Sequence, residues 1–368
     1  MAERCMNLGL LLALPRLGIH YLRQRHVYKV EQQRWESELP PSTIALWGGE
    51  AGTAKFVTAG KHVIFSFRAG TEDLILKLAR EQLRGVREIN SEAEWVNYLA
   101  SAGLPVCRPY LSLNGKYAEP IEVRRRGRFL AFVTQKSPGM PTQVNKLLSS
   151  PALIEQWGTL AGRIHAASKH FRPGPDVHFR EMISPETIKI AGDIVRRREP
   201  RVISRLSAIT ESLLSLPRDR NSFGLVHGDF TPSNLFLSDH YLTLLDFETS
   251  SYCWFAYDLA SPLYSLLLHR AVVPSSDNQE VQRFFRSFIT GYVRANVLPP
   301  ELITHLPQFV MFLGLLHVVL FYDAAAHRPD KFLLRAVKSA VNTMAKIDAT
   351  ELARIYGEVL TNLSVPKQ

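Results

Sequence analysis

Short runs rich in Val, Ile and Phe are confined to one stretch of this 368-residue chain, and helical periodicity occupies nearly everything that follows. Lys55 to Thr58, His62 to Phe67 and Leu74 to Leu78 are separated by the turns Ala59-Gly60-Lys61 and Ala69-Gly70-Thr71, a pattern that predicts an antiparallel meander. Asn90-Ser91-Glu92 then opens a helix. Ser91 reads as its cap, Glu94 completes a capping box, Trp95, Val96 and Leu99 supply the apolar face, and Gly103 ends it. Further strands are expected around Tyr110 and at Phe129 to Thr134. Beyond Ser137-Pro138-Gly139, the segments Leu153 to Ala167, Ile188 to Leu216 and most of 258 to 363 carry the helical period, punctuated by Pro262, Pro274, Pro299, Pro300 and Pro329. The expected fold class is therefore α+β and bilobal. Residues 1–48 read as an N-terminal extension, 49–134 as a small antiparallel lobe with one helix, 135–140 as a hinge, and 141–368 as a larger, mainly helical lobe.

Composition bounds the partners. Lys and Arg number 44 against 34 Asp and Glu, a net charge of +10, which favours phosphates, nucleic acid or a lipid surface over a cationic ligand. The basic runs Arg124 to Arg126 with Arg128, and Arg196 to Arg198, read as solvated faces. Neither is interleaved with aromatic residues, which argues against sequence-specific nucleic-acid binding. Cys5, Cys107 and Cys253 lack metal-ligand spacing and read as reduced thiols of a cytoplasmic chain. The apolar run Phe309 to Tyr322 is too short for a membrane span and carries His317, so a buried helix is expected. Leu8 to Leu14 precedes Pro15-Arg16 with no cleavage-site pattern, which argues against an export signal. Residues 1–30 mix apolar and basic side chains. Packing on the body of the protein is the favoured reading there, ahead of contact with a membrane surface.

The stretch HGDFTPSNLFLSDHYLTLLDFE, from His227 to Glu248, narrows the chemistry. Asp229 and Asn234 stand five apart on a segment that Pro232 interrupts, and Asp246 follows twelve residues later, after Leu242, Leu244 and Leu245, at the expected end of a strand. A carboxylate beside an acceptor hydroxyl, with an amide and a second carboxylate able to grip Mg²⁺, is the set of hard oxygen donors that phosphoryl transfer from a nucleotide requires. Asp229 is the candidate base; Asn234 and Asp246 are the candidate metal ligands.

HGD-x4-N followed by LLDFE, with the later Tyr257-Asp258-Leu259-Ala260, resembles the aminoglycoside phosphotransferase and choline kinase superfamily, which includes second-type homoserine kinases, fructosamine kinases and a bacterial stress-response kinase. The resemblance covers roughly residues 50 to 270. It implies a protein-kinase-like fold, ATP (with GTP as the alternative nucleotide), Mg²⁺, and a small-molecule hydroxyl acceptor such as a sugar or amino alcohol. It also implies further site residues. Lys77, flanked by apolar neighbours on the third strand, stands where the family's phosphate-pairing lysine stands. Glu92 shares a face with Trp95, Val96 and Leu99, whereas Glu94 points with Tyr98, so Glu92 is the expected partner of Lys77. Gly60, in Thr58 to His62, takes the place of a Gly-rich phosphate loop. Gln135 and Ser137, in Thr134 to Ser137, occupy the hinge position where backbone meets adenine. His227 is expected to brace the catalytic loop, Asp258 to hold loop backbone, and His165 to pack beneath. Ser250 to Phe255 departs from the family, with Tyr, Cys and Trp where relatives often have Gly or Pro. A protein Ser/Thr kinase and a nucleotide-binding pseudokinase scaffold stay open as alternatives.

Overall fold

The computed structural model describes residues 31–364 apart from 196, 198, 273–278 and most of 325–346. Cys5, the 1–30 segment and most of the second basic run lie outside the described residues. Strands β1 (Lys55–Ala59), β2 (Val63–Ala69) and β3 (Glu72–Arg80) form the expected meander. β6 (Gly127–Gln135) pairs antiparallel with β3, and the short β4 (Pro109–Tyr110) and β5 (Glu119–Val123) both pair with β6. β5 has no counterpart among the expected strands, because Glu119 and Glu122 interrupt its apolar pattern. Between β3 and β4 runs helix α1 (Val86–Ser101).

The period-2 pleat sorts the side chains of this sheet. Leu74, Leu76 and Leu78 of β3, with Phe129, Ala131 and Val133 of β6, face an outer core completed by Trp35, Leu39, Ile44 and Trp47. Residues 35–47 are thus part of the sheet's core. The Arg126 guanidinium lies 3.8 Å from the Trp35 ring centroid and pairs with Glu38, so this arginine of the first basic run anchors the segment. The opposite parity, Ala79, Leu130 and Phe132, packs against Ile89 of α1, and Lys77 is on this inner side.

Helix α1 starts earlier than expected. Gly85 is its N-cap, with the Glu88 carboxylate accepting the Gly85 amide at 3.0 Å. Ser91 and Glu94 instead tie the helix sideways. The Ser91 hydroxyl accepts the His178 amide at 2.8 Å, and Glu94 accepts that of Gly174 at 2.8 Å. Their capping-box spacing is matched by Gly85 and Glu88 one and a half turns upstream, where a φ of −92° and ψ of 171° give the extended backbone a cap needs.

Helices α2 (Pro151–Ser168), α3 (Pro185–Val195), α4 (Pro200–Leu214), α5 (Ala256–Val272), α6 (Glu280–Val293), α7 (Leu306–Ala324) and α8 (Ala349–Ser364) build the remainder around one large core. The expected run from Ile188 to Leu216 is two helices, broken where Pro200 restarts the second. α2 and α6 cross at glycines. A Cβ on Gly158 would lie 1.9 Å from Phe288 O, and one on Gly291 the same 1.9 Å from Glu155 O. This close approach brings His165 of α2 to Tyr292 of α6. Small sheets close over this body: β8 (Phe223–Val226) with β11 (Ser251–Trp254), and β9 (Leu235–Ser238) with β10 (Tyr241–Leu244) and β7 (Met140–Pro141). Among the described residues no helix is long and apolar enough to cross a membrane.

Candidate active site

Between the sheet and the helical body lies a cleft of about 440 Å³. Its walls include Val57, Thr58, Ile64 and Ile75 from the meander, Lys77, Glu92 from α1, Thr134 to Ser137, and Asn234, Phe236, Leu245 and Asp246 from the other side. Six of the residues expected to bind nucleotide or metal (Lys77, Glu92, Gln135, Ser137, Asn234 and Asp246) therefore meet around one space. Gly60 stands apart at the exposed tip of the β1–β2 turn, with open space where a Cβ would be. Nothing local demands glycine there.

The segment from His227 to Asn234 hangs from a buried hydrogen-bond network. Asp258, 1% exposed in the first turn of α5, accepts the His227 amide through Oδ2 at 2.7 Å and the Gly228 amide through Oδ1 at 3.0 Å. Its Oδ2 also meets His165 Nε2 at 3.2 Å, and His165 Nδ1 meets the Tyr292 hydroxyl at 2.9 Å. Burial lowers the His165 pKa despite the pull of Asp258, which keeps the ring neutral. A neutral ring beside a carboxylate donates from Nε2, so the Tyr292 hydroxyl donates to Nδ1, and Tyr292 in turn accepts from Asn296 Nδ2 at 2.6 Å. His227, fully buried, uses both nitrogens on the segment itself. Nε2 donates to Leu245 O at 2.9 Å and Nδ1 accepts the Asp229 amide at 3.2 Å. Gly228 sits at φ +83°, where a Cβ would lie 2.3 Å from Thr249 O, so the left-handed backbone and the close approach both require glycine.

This scaffold places Asp229 opposite Asn234. The Asn234 amide nitrogen donates to Asp229 Oδ2 at 2.8 Å and to Asp229 O at 2.9 Å, which orients its oxygen, the atom able to ligate a cation, on the other branch. Asp246 follows β10 and has φ +63°, a left-handed turn that Asp tolerates better than most residues. Its Oδ1 is buried with no hydrogen-bond partner, and Lys77 Nζ stands 3.8 Å away. Burial pushes the Asp246 carboxyl above its ordinary value against the pull of Lys77. Burial also acts to lower Lys77, but Asp246, Glu92 and Glu248 outweigh it and hold the amine protonated. A carboxylate oxygen without a hydrogen-bond partner and an oriented amide, both lining one cleft, are hard donors of the kind a divalent cation takes.

Glu92 is the α1 glutamate that reaches the cleft, as its face predicts. The expected Lys77–Glu92 ion pair is absent, however; Glu92 pairs with Arg84. Arg84 precedes the helix by one residue before its cap, and its long fork reaches Glu92 first. It stands 3.5 Å from Glu248 as well. Glu248 meets Lys61 Nζ at 2.5 Å and His62 Nε2 at 2.5 Å, both from the β1–β2 turn. Arg84 carries no sequence signal, since it lies outside every motif and its partners are distant in the chain. At the hinge, the Gln135 amide donates to Arg108 O at 2.7 Å and the Lys136 amide to Asp73 O at 3.3 Å.

Residues 55–298 match the family described as phosphotransferase enzyme family. Amicoumacin kinase of Bacillus subtilis (strain 168) is 27% identical over 289 residues, 77% of this chain and 85% of that protein. The fold is similar to that of amicoumacin kinase hAmiN in complex with AMP-PNP, Ca²⁺ and Ami, with TM-score 0.75 and 23% identity over 87% of this chain and 99% of that one. The microcompartment-associated aminopropanol kinase gives TM-score 0.64 at 15% identity, covering 88% of this chain and 97% of that one.

Proposed function

This chain belongs to the phosphotransferase enzyme family, and we propose that it moves the γ-phosphoryl group of ATP to a hydroxyl of a small molecule in the cleft between sheet and helices. The observation that carries the assignment of roles is the presence of Lys77, Asn234 and Asp246 in the wall of that cleft, with Lys77 Nζ 3.8 Å from Asp246 Oδ1 and Asp229 fastened to Asn234. Lys77 pairs with the nucleotide phosphates. Asp229 orients the acceptor hydroxyl and takes its proton, while Asn234 holds the carboxylate in place. Asn234 and Asp246 would hold Mg²⁺, which when bound neutralises charge spreading over the phosphates. The apolar walls Ile64, Ile75, Phe236 and Leu245 suit a base, and Gln135 and Ser137 border it at the hinge. The relatives' names are those of small-molecule kinases, which supports that acceptor class over a protein acceptor and supports an active kinase over a scaffold.

Consumption of ATP or GTP with Mg²⁺ or Ca²⁺, measured against a panel of amicoumacin, aminopropanol, choline, ethanolamine and spectinomycin and against mixed proteins, tests this reading. Acceptor-dependent turnover that Asp229→Asn lowers by about 10²–10⁴-fold, with nucleotide binding retained, is expected. Turnover equal to the parent's in that variant would refute the role of Asp229.

A further inference from the structure

Glu248 has a place in the fold that the reaction as assigned does not use. It lies two residues beyond Asp246 on the far side of the cleft from the meander, and its side chain is 9% exposed. A carboxylate so buried is costly without cations around it. Two cations and an imidazole meet it, all from the sheet side: Lys61 Nζ and His62 Nε2 at 2.5 Å each, from the β1–β2 turn, and Arg84 at 3.5 Å, from the entry to α1. His62 and Arg84 are themselves 8% and 7% exposed, and Arg84 continues the chain of charges to Glu92. The turn they hold follows directly on Val57 and Thr58 of β1, which line the cleft. It has one glycine, at an exposed tip, and so lacks the run of glycines that lets backbone amides wrap phosphates closely.

We infer that Glu248 is a positioning residue which, through Lys61, His62 and Arg84, clasps the β1–β2 turn and the start of α1 onto the loop bearing Asp246, so that ion pairs do the work of ordering the phosphate cover. The clasp joins two elements that both face the nucleotide, and a nucleotide entering the clasped chain meets a turn already in place. Without it the turn must be ordered at the moment of binding, which lowers affinity. The inference rests on the reading of the cleft as a nucleotide site.

The test uses the full chain, AMP-PNP as probe, and calorimetry with and without Mg²⁺. Glu248→Gln is expected to weaken AMP-PNP binding about tenfold, equally in both conditions, and to raise the nucleotide KM more than it lowers kcat. In the nucleotide-free chain, amide exchange of residues 57–62 is expected to quicken. Lys61→Gln, which alters a partly exposed side chain, is expected to weaken binding about threefold. The double variant is expected to bind no more weakly than Glu248→Gln alone. A loss in Glu248→Gln seen only with Mg²⁺ would mark Glu248 as a metal ligand and overturn the clasp. So would additive losses in the double variant, or unchanged exchange in the turn. Should Glu248→Gln fail to fold, Lys61→Gln with unaltered affinity overturns the clasp by itself. Parental affinity in Glu248→Gln sinks the clasp alone, whereas absence of AMP-PNP binding by the unsubstituted chain overturns the nucleotide reading together with it.

Discussion

Replacing Asp258 by asparagine should loosen the catalytic segment while leaving the volume of the side chain unchanged. Three donors converge on two oxygens: the His227 amide and His165 Nε2 on Oδ2, and the Gly228 amide on Oδ1. An asparagine has one oxygen. With its nitrogen at the Oδ2 place it faces two donors, and with its nitrogen at the Oδ1 place it faces only Gly228 N–H, so the second arrangement costs less. One buried N–H left facing a donor costs about 1–3 kcal/mol, and the two surviving bonds each lose about 1 kcal/mol of charge assistance. Relief from burying a carboxylate offsets part of this, leaving an expected net loss of about 2–4 kcal/mol. Urea unfolding of the purified chain measures it, provided the slope with denaturant is unchanged. Because Gly228 is already confined at φ +83° against Thr249 O, the displaced amide carries Asp229 with it. A shift near 1 Å lowers turnover about 100-fold. An Asp258→Asn chain within about 0.5 kcal/mol of the parent, with parental turnover, would refute the claim that this carboxylate sets the position of the segment.

Gly228→Ala should lower turnover at least about 100-fold, since its Cβ meets a backbone carbonyl that cannot yield without moving the Asp229 segment; circular dichroism confirms folding and a coupled nucleotide assay reads the loss. Trp35→Ala should cost about 3–5 kcal/mol in thermal or urea unfolding, because Trp35 is 3% exposed against Phe129; a cost under about 1 kcal/mol would return residues 35–47 to the status of an appendage. His165, His269 and His317 all have pKa values lowered by burial, so the unfolded chain binds protons there that the folded chain resists. Stability from these groups is complete above the unfolded value near 6.5 and is lost as pH falls below it, with a slope of up to about 1.4 kcal/mol per pH unit for each histidine. Urea midpoints at pH 7.5, 6.5 and 5.5 check the sign, and a flat or rising profile toward acid contradicts it.

Much of the architecture was local information. The meander was legible because β-type residues alternate between Gly-bearing turns, and Phe309 to Tyr322 was legible as buried because a run so apolar has no other place in water. Pairing chemistry was not legible. Ser91 and Glu94 have the spacing of a cap, yet they are spent on Gly174 and His178, which only folding brings near. Likewise β5 hides behind Glu119 and Glu122, and its register on β6 becomes clear only once β6 exists.

At the site, Asp229, Asn234 and Asp246 stand close in the chain, and the β9–β10 hairpin suffices to relate Asn234 to Asp246, so a one-dimensional pattern marks them. Helix geometry alone turned Glu92 inward. Its partner was beyond such reasoning, because ion pairs form between whichever charges the packed elements leave within a few ångströms, and Arg84 and Lys77 compete for the same space. Glu248 shows the same divide. Its place after Asp-Phe is visible in the sequence, but Lys61 and His62 lie 187 and 186 residues away, a separation across which no local propensity acts and only the closure of the two halves decides contact.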